Sequence, residues 1–565
     1  MSQDSVSSRP KILSFRRVLV ANRGEIAVRI IRTLRELSKE SVAVYSDPDQ
    51  QSMHVRMADY TVNLPGSSLA ETYLDIDKIV EAIHISGADA VHPGYGFLSE
   101  NADFAARIHA LKDVTFIGPS TEAMLALGNK VKARALLKKA AISVLPGCTE
   151  PLSSIEELYE VSEQIGFPLV LKAAAGGGGK GMRIVRKKQD LKEAFYAAQR
   201  ESMTFFASSE IFCERYLENP RHIEFQTLAD AHGCGVHLFE RDCSVQRRHQ
   251  KLLEEAPSTY LDEASRKAMG EVAVKVLKLV GYQGAATVEF ICERVYENIN
   301  DEDHLKKAKN DKNCHTSQLS RGAKLRYYVM EVNTRIQVEH PVTEMITGID
   351  LIKATISIAE NRPLQWQQHT ISFQGYALEA RINAEDPRCG FIPASGECKH
   401  VHLPGGAFVR VDTHIYPGYI IPDLYDSMLA KVIVWGRDRK EAIERLKRAL
   451  QELVIGDIQT TKIFHQALLQ HPRFVDADIS TTFLDQHMED FTHYYHSSQD
   501  HASLNQDHHA AIMAWLTQRQ CFLERSSTLS HGLTSSHQPS SFWLKSSRAR
   551  GEVADDADDN GGDGT

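Results

Sequence analysis

The 565-residue chain lacks any run of the roughly 18 consecutive apolar residues that a helix needs to cross a bilayer; even 161–175 is interrupted by charges and Pro168. A helical membrane span is therefore excluded. A surplus of positive charge is also missing. Lys and Arg total 65 against 74 Asp and Glu, a net charge of −9, which leaves no broad basic field for nucleic acid or anionic lipid. Cysteine is sparse: nine residues, an odd number with no Cys-x-x-Cys pair, fit neither a disulfide framework nor a zinc module and point to a reducing cytoplasm. The amino-terminal segment 1–17 is Ser-rich without an apolar h-region and reads as an untargeted tail. Neither the Walker pattern G-x-x-x-x-G-K-[ST] nor the Rossmann fingerprint occurs, so a phosphate site, if there is one, needs another architecture.

What remains is ordinary globular composition, 42% apolar and 25% charged, over a length that suggests three to four domains at about 150 residues each. The apolar run Val18–Ala21, the turn Asn22-Arg23-Gly24 and the helical spacing of Ile26, Ala27, Ile30, Ile31 and Leu34 spell strand, turn, helix. Further strands at 41–46, 88–92 and 114–118, with a helix at 76–85, predict an α/β unit built on a doubly wound parallel sheet. The segment His92-Pro93-Gly94-Tyr95-Gly96-Phe97 then falls beyond a strand's carboxyl end; a ligand loop and a plain βα turn both fit it.

Composition changes after Pro146-Gly147. The strand Leu169–Lys172 leads into a run from Gly176 to Gly181 with five glycines in six positions, including Gly177, Gly178 and Gly179. Such a run costs too much backbone entropy to be a helix or strand, and its amides, with Lys172 and Lys180, could close over phosphates. Farther on, Tyr327–Asn333 reads as a strand whose period of two puts Glu331 and Asn333 on one face, while Glu289 interrupts the apolar strand 286–292. Two carboxylates and an amide oxygen suit Mg²⁺ or Mn²⁺; a buried ion pair to Lys or Arg is the other reading. Arg335, Gln337 and Glu339 follow at once: a fork for a flat oxyanion, an amide and a proton acceptor. The basic stretch 246–251 is either part of a site or a solvated face. Residues 298–324 read as a polar excursion of a hairpin. Past 487 a single amphipathic pattern at 510–523 gives way to a disordered acidic end, whose histidines lack metal spacing.

The motifs Ala21–Ala27, His92–Asn101, Glu240–Ser244, Met330–Met345 and Glu379–Pro387 together resemble the biotin carboxylase family of ATP-grasp enzymes, in the right order over about Phe15–Gln486. The resemblance implies a three-part α/β architecture: a Rossmann-like domain at 15–130, an ATP-grasp lid at 131–214, a C-terminal ATP-grasp domain at 215–486 and a tail at 487–565. It implies carboxylation of carrier-linked biotin by bicarbonate and ATP. By the same resemblance Lys130, Lys172, the glycine loop, Glu214, Leu217, His222, Gln246 and His249 contact ATP, and Glu289, Glu331 and Asn333 hold Mg²⁺ or Mn²⁺. Lys251, Arg335, Gln337 and the Val338 backbone form the bicarbonate site. Glu339 is the general base, Arg381 stabilises the biotin enolate, and Tyr95 lies near the biotin pocket. No Met-Lys-Met biotinylation motif occurs, so the resemblance implies a biotin carboxyl carrier in trans, a carboxyltransferase subunit and a homodimer. Residues 457–490 look like the α-chains of propionyl- or methylcrotonyl-type carboxylases, making a shortened α-chain the expectation. A nucleotide-binding assembly subunit without turnover and another ATP-grasp ligase are the competing readings.

Overall fold

The computed structural model describes residues 12–148, 150–173, 182–206, 210–296, 323–492 and 494–495. The expected helix at 510–523, the acidic end and the glycine run with Gly177, Gly178 and Gly179 lie outside them, as do residues 297–322.

Strands β1 (Arg17–Val20), β2 (Glu40–Tyr45), β3 (Tyr60–Asn63), β4 (Ala90–His92) and β5 (Thr115–Phe116) form a parallel sheet in the order β3-β2-β1-β4-β5. The helix Gly24–Glu36 buries Ile26, Ala27, Ile30, Ile31 and Leu34, the spacing that predicted it. The helix Ile76–Ser86 starts where the Asp75 carboxylate accepts from the Lys78 amide and stops at Gly87 in the left-handed region, φ 63°. Strand order reverses between β1 and β4, so the loops after them meet: the Asn22 side-chain amide donates to the carbonyls of Pro93 and Tyr95, at 2.8 and 2.7 Å.

A three-stranded antiparallel sheet, β6 (Leu169–Ala173), β7 (Met182–Val185) and β8 (Ile211–Arg215) in the order β7-β6-β8, makes the expected lid. The largest layer is an eight-stranded sheet. It runs β13 (Ala323–Asn333), β12 (Gly284–Tyr296), β9 (Arg221–Ala229), β10 (Gly235–Arg247), β11 (Gln250–Ala256), β14 (Tyr376–Asn383), then strands Met428–Gly436 and Val409–Thr413, antiparallel throughout. The fold is thus mixed α/β, with a parallel amino-terminal sheet and an antiparallel ATP-grasp region. Register between β12 and β13 continues to Tyr296 and Ala323, so residues 323–324, expected in the excursion, belong to β13. A last helical stretch carries Phe483 and Phe491 into the core beside Phe464, and Tyr495 joins them; the packed unit therefore continues past the 486 boundary expected for the tail.

Alternation along these strands separates oil from charge. Ile223, Phe225, Val288 and Phe290 pack on Met269, Ala273 and Val276 of the helix Glu263–Lys278, while Glu224, Gln226, Thr287 and Glu289 point to the opposite face. That second face is the one that matters for chemistry.

The amino-terminal sheet has its own buried ion pair. Arg23 donates to both oxygens of Asp49 at 2.5 and 2.7 Å, and the Tyr73 hydroxyl adds a third bond at 2.6 Å. Burial opposes the charge on Asp49, yet the guanidinium outweighs it and holds the carboxyl below the usual range. Asp49→Ala strands a buried guanidinium, and we expect a loss of roughly 3 to 5 kcal/mol in urea unfolding. Because the folded-state value is depressed, this stabilisation is present above about pH 4 and disappears as pH falls toward the folded value. The wild-type unfolding midpoint should drop across that window, and the variant's dependence there should be shallower.

Candidate active site

Cross-strand register lays Glu331, Glu289, Glu224 and Arg241 side by side across β13, β12, β9 and β10. The segment 334–347, including the helix His340–Thr347, covers this charged row: Gln337 and Thr343 both accept from Arg241, at 2.7 and 3.0 Å. At the centre is Lys251, whose ammonium donates to Glu224 at 2.6 Å, Glu339 at 2.6 Å and Glu289 at 3.1 Å. Arg381 reaches Glu339 from the other side at 2.8 Å and Glu254 at 2.6 Å. Glu339 is 2% exposed, so it meets bulk water through neither oxygen.

Burial alone would neutralise these acids. For Glu339 the charges of Lys251, Arg381 and Arg241 overcome that penalty and hold the carboxyl well below its ordinary range. For Glu289 burial is likewise overcome, by Lys251 and by His222 at 2.9 Å. Burial works against the Lys251 ammonium too, but its three carboxylates push its pKa well above normal. The basic stretch 246–251 is therefore divided: Gln246 and Lys251 are turned inward, while Arg248, His249 and Gln250 are exposed. Its two-residue turn puts Arg248 and His249 at positive φ, 49° and 65°, backbone strain stored where both side chains line a cavity.

That cavity, about 580 Å³, opens between the lid and the large sheet. It is lined by Lys130, Lys172, Glu214, Leu217, His249 and Glu331 among the expected residues, with Thr481, Thr482 and Asp485 closing one wall. Lys172 bonds Glu214 at 2.6 Å, Arg134 bonds its other oxygen at 2.8 Å, and Lys130 lies 3.0 Å from Glu331. Two expected ATP contacts lie elsewhere. His222 sits deeper, against Glu289, and Gln246 is buried with its amide toward the Cys243 carbonyl, neither of them lining the cavity. Arg335 is held by Glu100 at 3.1 Å and by the amide oxygen of Asn333 at 3.2 Å. Gln337 donates to Glu289 at 2.8 Å, and the Val338 carbonyl accepts from Lys431 at 2.9 Å. Tyr95 hydrogen-bonds Glu25 and lies beside the Lys431 ammonium, 5.9 Å from the ring centre.

Glu289, Glu331 and Asn333 stand on one face, as alternation required, and Asn333 donates its amide nitrogen to Glu289 at 2.8 Å. Its oxygen thus turns to Arg335 and away from Glu289; a half-turn of the amide exchanges donor for ligand. Two carboxylates and an amide, without thiol or imidazole as the defining donors, fit a hard divalent cation. Arg241, Glu224, Glu254, Glu379 and Lys431 were not assigned from sequence. The signal is plain only for Lys431, a lone charge in the otherwise apolar strand Met428–Gly436.

Comparisons with known proteins find relatives along most of the chain. Residues 14–124 match "Biotin carboxylase, N-terminal domain", 129–300 and 305–367 match "Carbamoyl-phosphate synthase L chain, ATP binding domain", and 379–486 match "Biotin carboxylase C-terminal domain". The chain is 47% identical to biotin carboxylase 1 of Bacillus subtilis over 470 residues, covering 83% of this chain and 98% of that protein. The chain belongs to the biotin carboxylase family. It is also 41% identical over 490 residues to the propionyl-CoA carboxylase alpha chain of Ruegeria pomeroyi, covering 83% of this chain and 68% of that one. Among solved structures, the biotin carboxylase domain dimer of Hydrogenobacter thermophilus 2-oxoglutarate carboxylase, in complex with magnesium ADP and bicarbonate, superposes with a TM-score of 0.73. It is 40% identical, with 84% of this chain and 98% of that chain covered. Among the described residues no helix is long and apolar enough to cross a membrane.

Replacing Lys251 by Met removes one cation from three buried carboxylates. We expect a loss on the order of 3 to 5 kcal/mol in urea unfolding at neutral pH, relieved as pH is lowered and the acids take up protons. An unchanged unfolding midpoint would contradict the central place given to this ammonium.

Proposed function

We propose that this chain is an active biotin carboxylase component, coupling ATP cleavage to carboxylation of carrier-linked biotin by bicarbonate. The observation that carries the reading is Glu339: an ionised, buried carboxylate clamped between Lys251 and Arg381, next to Glu289. The cations that keep it ionised also make it a weak base; bicarbonate that draws Lys251 toward its own charge would raise the basicity of Glu339 and let it take the proton away from bulk water.

Bicarbonate is oriented by the Arg335 fork, the Gln337 amide and Lys251; Glu339 takes its proton as its oxygen attacks the terminal phosphoryl group of ATP, the bond from that phosphorus to the β-phosphate oxygen breaks, and ADP leaves. Lys172 and Lys130 offset the charge that develops there, and the lid excludes water from the carboxyphosphate that results. Carboxyphosphate breaks into CO₂ and phosphate, and phosphate takes the ureido N1 proton of biotin. Arg381 then stabilises the negative ureido oxygen while the nitrogen attacks CO₂. Glu289, Glu331 and Asn333 would hold Mg²⁺ or Mn²⁺, which screens the phosphates and polarises them. Leu217 and His249 form the wall for the base. The 565 residues contain no Met-Lys-Met, so the biotin carrier lies outside them. Carboxyl transfer to an acyl-CoA falls to a carboxyltransferase subunit, in a cytoplasmic assembly built on a homodimer. The domain divisions proposed with this reading lie near 130 and 214.

Glu339→Gln should lower bicarbonate-dependent ATP cleavage, measured with free biotin, by about 10²- to 10³-fold while the KM for ATP stays within about threefold. Retained turnover would remove Glu339 from the mechanism. Chelation of divalent cations should abolish the same activity and added Mg²⁺ should restore it, whereas Glu331→Gln should raise the Mg²⁺ concentration needed for half-maximal rate.

A further inference from the structure

Glu254 and Glu379 are directly opposite one another in the antiparallel pairing of β11 with β14, so both side chains leave the same face of the sheet, their Cβ atoms about 5 Å apart. Both residues are completely buried. Like charges at this spacing oppose each other even in water, and in a dry interior two carboxylates sharing one site do not both ionise.

The neighbouring cations do not resolve the conflict, because each is already engaged. Arg381, two residues along from Glu379, gives its Nε to Glu254 Oε1 and an Nη to Glu339. Lys431, opposite Arg381 on the next strand, is taken by Glu25 at 3.1 Å and the Val338 carbonyl. Lys251 holds Glu224, Glu289 and Glu339. Glu379 is left with neither oxygen hydrogen-bonded, and Glu254 with Oε2 free.

We propose that Glu254 and Glu379 share a single proton carried by Glu379, and that the remaining charge, on Glu254, makes it the positioning residue for the Arg381 guanidinium. The direction of the shifts agrees: burial dominates both, but Arg381 limits Glu254 to about 7, while Glu379 is driven well above its ordinary value despite Lys431. The asymmetry has a mechanical use. Were Glu379 ionised, two acids would draw Arg381 along the sheet and away from Glu339. With Glu379 neutral, the guanidinium stays on the line from Glu254 to Glu339. When Glu339 takes a proton its hold on Arg381 weakens, and Glu254 alone keeps the cation aimed at the reacting oxygen. This role rests on the function proposed above; the proton assignment does not.

The test uses the full chain. Difference infrared spectra at neutral pH should contain the carbonyl stretch of a protonated carboxylic acid that is lost in Glu379→Gln and persists in an isolated measurement of the wild type with or without ATP. In bicarbonate-dependent ATP cleavage, Glu254→Gln should lower kcat by about 10²-fold or more with the KM for ATP within about threefold, and Glu379→Gln should cost less than a tenth of that. Absence of the band, its survival in Glu379→Gln, equal damage from the two variants, or a Glu379→Gln chain that does not fold would each overturn the proposal, since a neutral isostere must be tolerated at a neutral site. A wild type with no bicarbonate-dependent cleavage would sink the functional reading while leaving the infrared comparison to decide the pair.

Discussion

One ammonium group organises the centre of this protein. Lys251 touches three carboxylates that arrive from three separate elements: Glu224 from β9, Glu289 from β12 and Glu339 at the start of the helix that covers the sheet. Taking so many charges out of water is costly, and it is compensated only if each acid finds a cation and each cation an acid. One Lys cannot neutralise three Glu. Arg241, His222 and Arg381 supply the rest, and the hydrogen bonds of Gln337, Asn333 and Thr343 hold that set in one geometry. The arrangement is rigid because removing any member leaves another charge buried and unpaired.

From that centre the cations divide into two populations. Lys251 and Arg381 are fixed inside, each side chain 13% exposed and bonded to two or more acids. Lys130 and Lys172, at 82% and 39%, border the open cavity and make lighter contacts with Glu331 and Glu214. Fixed cations suit the stabilisation of charge at a defined atom, since no reorganisation is needed when it develops. Exposed ones suit the capture and release of a flexible polyphosphate beneath a lid. The same residue type serves two purposes because the sheet buries one pair and the lid's edge leaves the other wet.

Much of the fold was legible. Apolar runs located β1 and β12, alternation of apolar and polar residues located β2 and β13, and helical spacing located the helix Gly24–Glu36, because those patterns reflect which faces meet the core. The acids Glu289, Glu331 and Glu339 stood out as charges next to apolar strand residues. Lys431 was just as anomalous and Arg241 was hidden among the charges of its own strand, but a fully buried cation is intelligible only once its partners are known, and these lie 17 residues from Arg241 in Glu224 and, for Lys431, in Glu25 on the first helix. The places of His222 and Gln246 were illegible for a related reason: which side of a hairpin lines a cavity depends on what packs against its other side.

Sequence by itself determined many of the element types, the parallel character of the amino-terminal sheet and the chemical identity of the donors, all of which follow from local periodicity and side-chain type. Tertiary structure alone decided the protonation states. Whether a carboxylate is a base, a structural anion or a neutral acid depends on the distance to charges contributed by distant strands and on how much water remains, and neither is written in local sequence.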